Sequence, residues 1–416
     1  MKLHLQALLS TVALAAVLVA PAHAVEVTQT NILSDADRLV SYRHQRHLFV
    51  TADGRQHLLA NLGTQGGAKA ALFLRSSADG LVWTAQHKLG YTDSNSVSDV
   101  ALVGNLLTVV YQGSDGFVRL ATATYDPASL SWSSFTVEKV PRAGRTFTAV
   151  NPSFTVDANG NTWVAYVQED SSTGNAGIVL YRKSASKGTW ASAQQFFGAN
   201  DSTYPFGADK RSARLVTLPS GIGMLYSVGP TIYWQERPLK GGADLAWGAA
   251  ATLLPGTPDK DLMSSHFSTV VDAAGNLFAA FTDNGLLYVD RRDATTGQWY
   301  AAPQLVLGTG SSSAKPTYAQ LMSLGSDRIG IATNVGYNIW VLQAKTTANA
   351  GWKCTDQGTH ASFDPTLYSF EHPRVEAPAF PGATVPVLQQ FTSADGSLQY
   401  AATFSVTPGA PTGCSN

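Results

Sequence analysis

Three short stretches of the chain carry arginine: "SYRHQRHLF", "KRSARL" and "LYSFEHPR". The first and the third also contain histidine and tyrosine. Arginine can hold a carboxylate through two parallel hydrogen bonds, so arginines from several stretches can clamp a carboxylated ligand. A histidine or tyrosine beside such a cation can remove a proton next to the carboxylate, because the cation stabilises the charge that develops. The candidates for this catalytic role are His266, Tyr318, Tyr368 and His372.

The elements that would position these residues repeat along the chain. Six similar segments are centred on tryptophans at intervals of 49 to 58 residues: Trp83, Trp132, Trp190, Trp247, Trp299 and Trp352. Before each tryptophan lie apolar runs separated by turn residues, as in "NPSFTVDANGNTWVAYV", where D-x-x-G supplies a hairpin turn. Four antiparallel strands repeated about every fifty residues are typical of β-propeller blades.

Counting the hairpins predicts the whole architecture. Seven hairpins but six tryptophan strands occur, so the last repeat lacks its fourth strand. The segment "VEVTQTNIL" precedes the first hairpin and can supply that strand, which would remove an exposed sheet edge. The prediction is an all-β fold, a single seven-bladed β-propeller of four-stranded antiparallel blades whose ring is closed by the mature N-terminal strand. We expect the tryptophans to pack between blades.

The hairpin turns also serve as a ruler for ligand-facing positions. The residue nine positions before each turn begins an innermost strand and is polar or hydrogen-bonding in six of seven cases: Gln45, Asn95, Asn151, Ser212, His266, Tyr318 and Pro373. With neighbouring arginines, the predicted ligand-binding set is Gln45, Arg46, Asn95, Asn151, Arg211, Arg214 and Arg374. The alternative that these side chains are structural ties between strands stays open.

The chain begins with a basic residue, a short apolar run and "AHA". This pattern predicts a signal peptide at 1–24 and a mature propeller domain at 25–416, exported to the periplasm or the extracellular space. In such an oxidising compartment, Cys354 and Cys414 are expected to form a disulfide.

Composition limits the partners. The net charge is −1 and 14% of residues are charged, which disfavours nucleic acid as a partner. No later apolar stretch is long enough to span a membrane. The expected partner is therefore a glycan or polysaccharide, with an acidic one favoured by the arginines. We expect a monomer with no cofactor and no metal.

One turn carries a family resemblance. The stretch Ser77-Ala-Asp79-Gly80-Leu-Val-Trp83 resembles the BNR/Asp-box repeat of sialidase-like β-propellers, although its Gly and Trp come one residue early. In that family the turn is scaffold: Asp accepts backbone N–H groups, Gly takes a positive φ, and the aromatic residue packs between blades.

The resemblance also implies a function. Sialidases bind a sugar carboxylate with three arginines and use a Tyr–Glu pair and an acid/base Asp. Here "RHLF" replaces the family's Arg-Ile-Pro, and seven repeats replace six. The family's acid/base Asp has no clear counterpart, and Asp93 and Asp99 are the candidates for it. We expect an exported sialidase-like propeller that recognises a carboxylated glycan at its channel mouth. The sequence leaves open whether it is a glycoside hydrolase, a lyase of uronic-acid polymers, or a non-enzymatic interaction or adhesion propeller.

Overall fold

The computed structural model describes most of the chain between residues 32 and 413. The described residues are 32–36, 38–40, 44–64, 69–84, 87–92, 98–142, 147–170, 176–191, 194–195, 211–229, 231–239, 246–255, 267–283, 285–308, 316–325, 327–335, 338–347, 351–356, 368–381, 384–393, 395, 397–406 and 412–413. The predicted signal peptide therefore lies outside the described residues. Among the described residues, no helix has the length and apolar character needed to cross a membrane.

The described residues form thirty β-strands arranged in seven antiparallel sheets. The first strand is β1 (Ile32–Ser34). Sheet 1 contains β2 (Leu48–Val50), β3 (Gln56–Asn61), β4 (Ala71–Ser77) and β5 (His87–Tyr91). Sheet 2 contains β6 (Ser98–Val103), β7 (Leu106–Gln112), β8 (Val118–Asp126), β9 (Ser131–Trp132) and β10 (Thr136–Lys139). Sheet 3 contains β11 (Phe147–Val156), β12 (Thr162–Asp170), β13 (Ala176–Lys183) and β14 (Gln194–Gln195).

The second half of the chain continues the pattern. Sheet 4 contains β15 (Arg211–Leu218), β16 (Gly221–Val228), β17 (Thr231–Pro238) and β18 (Ala251–Leu254). Sheet 5 contains β19 (Phe267–Val271), β20 (Leu277–Asp283), β21 (Leu286–Arg292) and β22 (Gln304–Leu307). Sheet 6 contains β23 (Pro316–Ser323), β24 (Arg328–Val335), β25 (Asn338–Lys345), β26 (Lys353–Asp356) and the late strand β30 (Thr412–Gly413). Sheet 7 contains β27 (Tyr368–Glu376), β28 (Val385–Ser393), β29 (Gln399–Val406) and β1.

The prediction of an all-β chain built from four-stranded antiparallel sheets is confirmed. Each hairpin predicted from the sequence is the first strand pair of a sheet, as in β11 with β12, where Val156 faces Thr162 across the turn. Sheets 2 and 6 each carry a fifth strand that the sequence pattern did not predict. The first strand lies in sheet 7, where Ile32 pairs with Ala401 on β29.

Seven buried apolar clusters lie between consecutive sheets. For example, Trp163 of sheet 3 packs with Met224 of sheet 4, and Leu58 of sheet 1 packs with Leu388 of sheet 7. Burying a large apolar side chain stabilises the fold by about 1.5–3 kcal/mol relative to exposure. Apolar contacts between the faces of neighbouring sheets therefore hold the sheets together.

Three of the six tryptophans occupy a slightly different place from the one predicted. Trp83, Trp190 and Trp299 do not lie within the fourth strands but form single bridges to the last residue of the third strand, Ser77, Lys183 and Arg292 respectively. The fourth strand begins several residues later, because each tryptophan first closes the turn after the third strand. Trp83 is 3% exposed and belongs to the cluster between sheets 7 and 1, so its packing role is as expected.

The turn from Ser77 to Trp83 is held by local hydrogen bonds. The Asp79 carboxylate accepts the N–H groups of Leu81 (2.8 Å) and Val82 (2.9 Å), and Gly80 has φ +79°. The Trp83 indole donates to the carbonyl of Gly80 at 3.1 Å. The hydrogen bond from the N–H of Val82, followed by that from Leu81, lowers the pKa of Asp79. This carboxylate therefore holds the turn.

Candidate functional site

The segment His44–His47, called the central segment below, precedes β2 and is buried. Its Arg46 side chain donates hydrogen bonds to carbonyls of three different sheets or their strand ends. Nη1 binds Ala377 O at 3.0 Å, and Nη2 binds Thr269 O at 2.9 Å and Leu321 O at 2.6 Å. One guanidinium thus joins sheets 5, 6 and 7 at their first strands or directly after them.

Asp99 on β6 connects the central segment to two further sheets. Its Oδ1 accepts the N–H of Arg46 at 3.0 Å, and its Oδ2 forms an ion pair with Arg214 on β15. Asp99 is fully buried, and the side chain of Arg214 is 14% exposed. Because an unpaired buried carboxylate is costly, the Arg214 cation and the backbone donor make this position possible.

Glu376 on β27 connects the central segment to sheet 7. Its Oε1 accepts the N–H groups of His47 and Leu48, the latter at 2.7 Å, and its Oε2 lies 2.9 Å from Nδ1 of His47. Burial raises the pKa of Glu376, but the His47 charge and these hydrogen bonds outweigh it, so the pKa is lowered overall. Glu376 is therefore ionised at neutral pH.

His44 begins the central segment and lies in a buried, positively charged environment. It is 2% exposed, and its ring lies 5.6 Å from that of Phe267 on β19. Burial, followed by the positive charges of Arg214 and His47, holds its pKa well below the usual range. The imidazole is consequently neutral at neutral pH, which is the form that can accept a proton.

Gln45 makes two further hydrogen bonds between the central segment and neighbouring strands. The Gln45 side chain donates to Pro152 O on β11 at 2.9 Å, and Gln320 on β23 donates to Gln45 O at 3.4 Å. Together with Asp99, Thr269 and Glu376, these partners place the first strands of several sheets around the same four residues.

A cavity of about 210 Å³ adjoins the central segment. Arg46 and Arg214 line it together with apolar side chains such as Val100, Leu102 and Phe380. Burial, followed by the charge of Arg214, lowers the pKa of Arg46 to about 10. Two guanidinium groups therefore border one small cavity, with Arg214 paired to Asp99 and Arg46 bound to three carbonyls.

The predicted ligand-binding residues separate into two groups. Gln45, Arg46 and Arg214 meet at the central segment. Asn151, at φ +52°, instead donates to Arg211 O at 3.2 Å and ties β11 to β15, and Arg211 is fully buried. For these two residues the observed contact is structural, and a ligand-binding role stays a prediction.

The predicted catalytic residues are placed less fully. Tyr318 is 9% exposed and belongs to the apolar cluster between sheets 6 and 7 with Met322 and Val375. His266 and the ligand-binding candidate Asn95 lie outside the described residues. Tyr368, His372 and Arg374 lie on β27, where the structure describes the backbone and not these side chains. Their roles remain predictions.

The cysteine prediction is also partly outside the described residues. Cys354 on β26 is 2% exposed and pairs with Thr412 on β30. Cys414 follows β30 but lies outside the described residues. The disulfide remains a prediction, and the pairing brings the strand that leads to Cys414 beside Cys354.

Sequence reasoning missed Glu376 and gave Asp99 only a minor place. Asp99 is the one carboxylate of β6, "SDVALV", and Glu376 is the last residue of β27, directly before the apolar run "APAF". An acidic residue at such a position must find a cation or several N–H donors when the strand is buried. That mismatch was the available signal for both residues.

Comparisons with known proteins find structures with a similar fold but do not assign the chain to a family. No protein-family model and no curated protein matches the chain. Among solved structures, an ulvan lyase bound to a GlcA-containing saccharide matches with a TM-score of 0.50 and 12% identity, over 89% of this chain and 96% of the lyase. The similarity to the lyase indicates a common fold, and at this identity it carries no residue correspondence.

Two further structures match less well. Penicillium chrysogenum α-L-arabinanase complexed with arabinobiose has a TM-score of 0.46 and 12% identity, over 79% of this chain and 97% of the arabinanase. Trypanosoma rangeli sialidase in complex with DANA has a TM-score of 0.44 and 12% identity, over 76% of this chain. The chain covers 55% of that sialidase, so it spans about half of the sialidase's length.

Proposed function

We propose that the protein is an exported, seven-bladed β-propeller that recognises a carboxylated glycan at the mouth of its central channel. The ring is supported by seven apolar clusters between consecutive sheets, including the cluster between sheets 7 and 1. Pairing of β1 with β29 supports closure of this ring by the N-terminal strand. On this proposal, the turn at Asp79 is a decayed Asp-box.

The observation that carries the glycan proposal is the pair of guanidinium groups, Arg46 and Arg214, beside one cavity. An arginine has five N–H donors, so a carboxylate in the cavity can still accept charge-assisted hydrogen bonds besides those to Asp99 and the three carbonyls. The cavity of about 210 Å³ is smaller than a typical ligand pocket of roughly 300–1,000 Å³. It therefore suits the carboxylate-bearing edge of one sugar ring, with the rest of the glycan at the mouth.

A lyase reaction is the second candidate. Proton removal next to a uronate carboxylate needs a base and a nearby cation. His44, two residues before Arg46, is our candidate base, and Arg46 and Arg214 line the cavity. Hydrolysis would need a protonated carboxyl group as the acid, whereas the surroundings of Glu376 keep it ionised. The ulvan lyase, which shares the fold, was solved with a saccharide containing GlcA, a carboxylated sugar.

Binding of acidic and neutral forms of the same sugar tests the proposal. Calorimetric titrations would use oligoglucuronates and sialyllactose, each beside its carboxyl methyl ester. We expect the acids to bind and the esters to bind at least tenfold more weakly, since a hydrogen bond to a charged group contributes about 1.5–3 kcal/mol. Equal affinity for acid and ester, or no binding of either acid, would overturn recognition of a carboxylated glycan.

Variants locate the site. Arg214→Gln should lose at least tenfold in affinity for the acid, while Arg214→Lys should retain part of it because the charge remains. Arg328→Gln is the matched control, because the Arg328 side chain is 51% exposed at a hairpin. Circular dichroism would establish that each variant is folded.

Turnover separates the enzyme from the binding protein. Release of unsaturated uronate ends that stops in His44→Gln, with binding retained, would support the lyase. Binding without turnover would leave a recognition protein. Failure of wild type and variants alike to bind would favour the interaction or adhesion propeller.

Export and the disulfide have separate tests. Amino-terminal sequencing of the protein recovered from the periplasm or medium should begin at Val25. Peptide mapping without reductant should recover Cys354 and Cys414 as one linked fragment. A protein retained at full length in the cytoplasm would contradict export.

A further inference from the structure

We propose that a cleft between sheets 4 and 5, away from the central segment, binds a neutral sugar ring. This outer cleft is lined by residues 248, 249 and 251–253, at and before β18, and by residues 297–303 after β21. Trp234, Glu236 and Asp290 form the rest of its lining. The inference does not depend on the carboxylated-glycan proposal.

The size of the outer cleft results from small side chains. Its volume is about 460 Å³, within the range of roughly 300–1,000 Å³ that small-molecule sites occupy. Gly248, Ala249 and Ala251 line one wall, and Ala301 and Ala302 line the other. Larger residues at these positions would fill the space, so the two sheets leave room for a ring-sized ligand.

Aromatic residues supply the apolar part of the lining. Trp234 and Trp299 contact each other edge to face, with ring centroids 5.3 Å apart, and Tyr300 follows directly. Aromatic side chains provide large, rigid contact surfaces together with N–H or O–H groups. A sugar ring has the matching character, because its C–H groups form an apolar patch while its hydroxyls remain polar.

The carboxyl groups define the charge of the ligand. Glu236 accepts hydrogen bonds from Trp234 Nε1 and from Arg292 Nη2, both at 2.6 Å, so its charge is balanced by Arg292. Asp290 is 1% exposed and accepts the N–H of Arg291 at 2.8 Å. Within the described part of the chain, no basic side chain forms an ion pair with Asp290.

These two carboxyl groups favour hydroxyl donors over anions. Burial raises the pKa of Asp290 to about 6, against the hydrogen bonds from the N–H groups of Arg291 and Tyr300. A negatively charged ligand would face an unbalanced carboxylate, whereas a sugar hydroxyl can donate to it. A neutral sugar therefore fits the outer cleft, in contrast to the two arginines at the central segment.

The same turn in other sheets lacks this acidic group. Trp190 bridges Lys183 in sheet 3 as Trp299 bridges Arg292 in sheet 5. The residue two positions before the bridge is Asp290 in sheet 5 but Tyr181 in sheet 3. A carboxyl group at this register thus distinguishes the turn of sheet 5, and the turn of sheet 3 provides a matched control.

Saturation-transfer NMR with lactose, cellobiose and methyl α-mannoside tests the proposal on the full mature protein. We expect at least one of these neutral sugars to bind. Trp299→Ala and Asp290→Asn should weaken its binding at least tenfold, whereas Trp190→Ala should change it less than twofold. Ala301→Trp adds a large side chain at an exposed position of the cleft wall and should abolish binding without unfolding the protein.

The outcomes separate the two sites. Binding that is lost in Ala301→Trp and kept in Arg214→Gln supports the outer cleft. Binding that is kept in Ala301→Trp and lost in Arg214→Gln belongs to the central segment and overturns the inference. No binding of any of the three sugars also overturns it, whatever the result with acidic glycans.

Discussion

The central segment and the turn from Ser77 to Trp83 are both held by charged side chains that bind backbone groups, yet they differ in reach. At the centre, the carbonyls that Arg46 binds lie 223, 275 and 331 residues further along the chain. In the turn, Asp79 binds N–H groups two and three residues away. A charge at the centre therefore joins whole sheets, whereas a charge in the turn shapes a single loop.

The difference in burial gives the two regions different sensitivities. A buried charge that loses its partner leaves an unsatisfied group in a water-free site, while an exposed carboxylate can return to water. Substitutions at the centre should consequently cost more stability than substitutions near the surface. Four measurements can break or sharpen this comparison.

The largest effect is expected at Glu376. Glu376→Ala leaves the N–H groups of His47 and Leu48 without their acceptor and should lower the free energy of unfolding by about 3–5 kcal/mol, the usual cost of breaking a buried charged pair. Urea unfolding followed by tryptophan fluorescence measures it. A loss below 1 kcal/mol would mean that the centre is no more sensitive than the surface.

A buried histidine between sheets 1 and 2 should make stability depend on pH. Burial lowers the pKa of His57 to about 4 from its ordinary 6.5. Between these values the unfolded chain binds a proton that the folded protein does not, so stability falls as the pH drops from 6.5 to 4, by about 3 kcal/mol in all. His44 acts in the same direction.

Unfolding curves at a series of pH values would measure this loss. His57→Gln should remove the part that His57 contributes, about 3 kcal/mol, and leave the part that comes from His44, because glutamine does not titrate. A variant with an unchanged pH profile would contradict the role of His57.

A smaller effect is expected in the turn. Gly80→Ala places a Cβ 2.7 Å from Thr403 Oγ1 at a φ of +79°, and it should cost about 2 kcal/mol. Gly54→Ala is the control, because Gly54 has φ +83° but no atom within 4 Å of the new Cβ. Gly54→Ala should lower the free energy of unfolding less, by about 1 kcal/mol, as measured by thermal denaturation. Equal shifts would mean that the contact with sheet 7 contributes nothing.

The smallest effect is expected at the surface ion pair of Lys183 with Glu138. Their side chains are 26% and 36% exposed, so water and salt screen the pair. Glu138→Ala should cost less than about 1 kcal/mol, and the cost should vanish in 1 M salt. A loss as large as that of Glu376→Ala would remove the distinction between the two regions.

The same difference in reach explains what the sequence could predict. The hairpins, the Asp79 turn and the buried tryptophans depend on residues a few positions apart, so the sequence pattern predicts them. Partners of Arg46 and Glu376 lie hundreds of residues away and include backbone carbonyls and N–H groups, which have no residue type to recognise. The nine-residue spacing before each hairpin turn correctly singled out Gln45, which lies in the central segment. The same spacing could not show that Asn151 binds a carbonyl of β15.

The hydrogen bonds of Arg46 also bear on the timing of synthesis. The carbonyl of Ala377 is made 331 residues after Arg46, so at roughly 5–20 residues per second the arginine waits about 20–70 seconds for its last partner. During this interval Arg46 remains hydrated, and the face of sheet 1 that later meets sheet 7 is uncovered. We therefore expect chaperones to bind nascent chains of this protein and to cover this face until the last sheet has been translated.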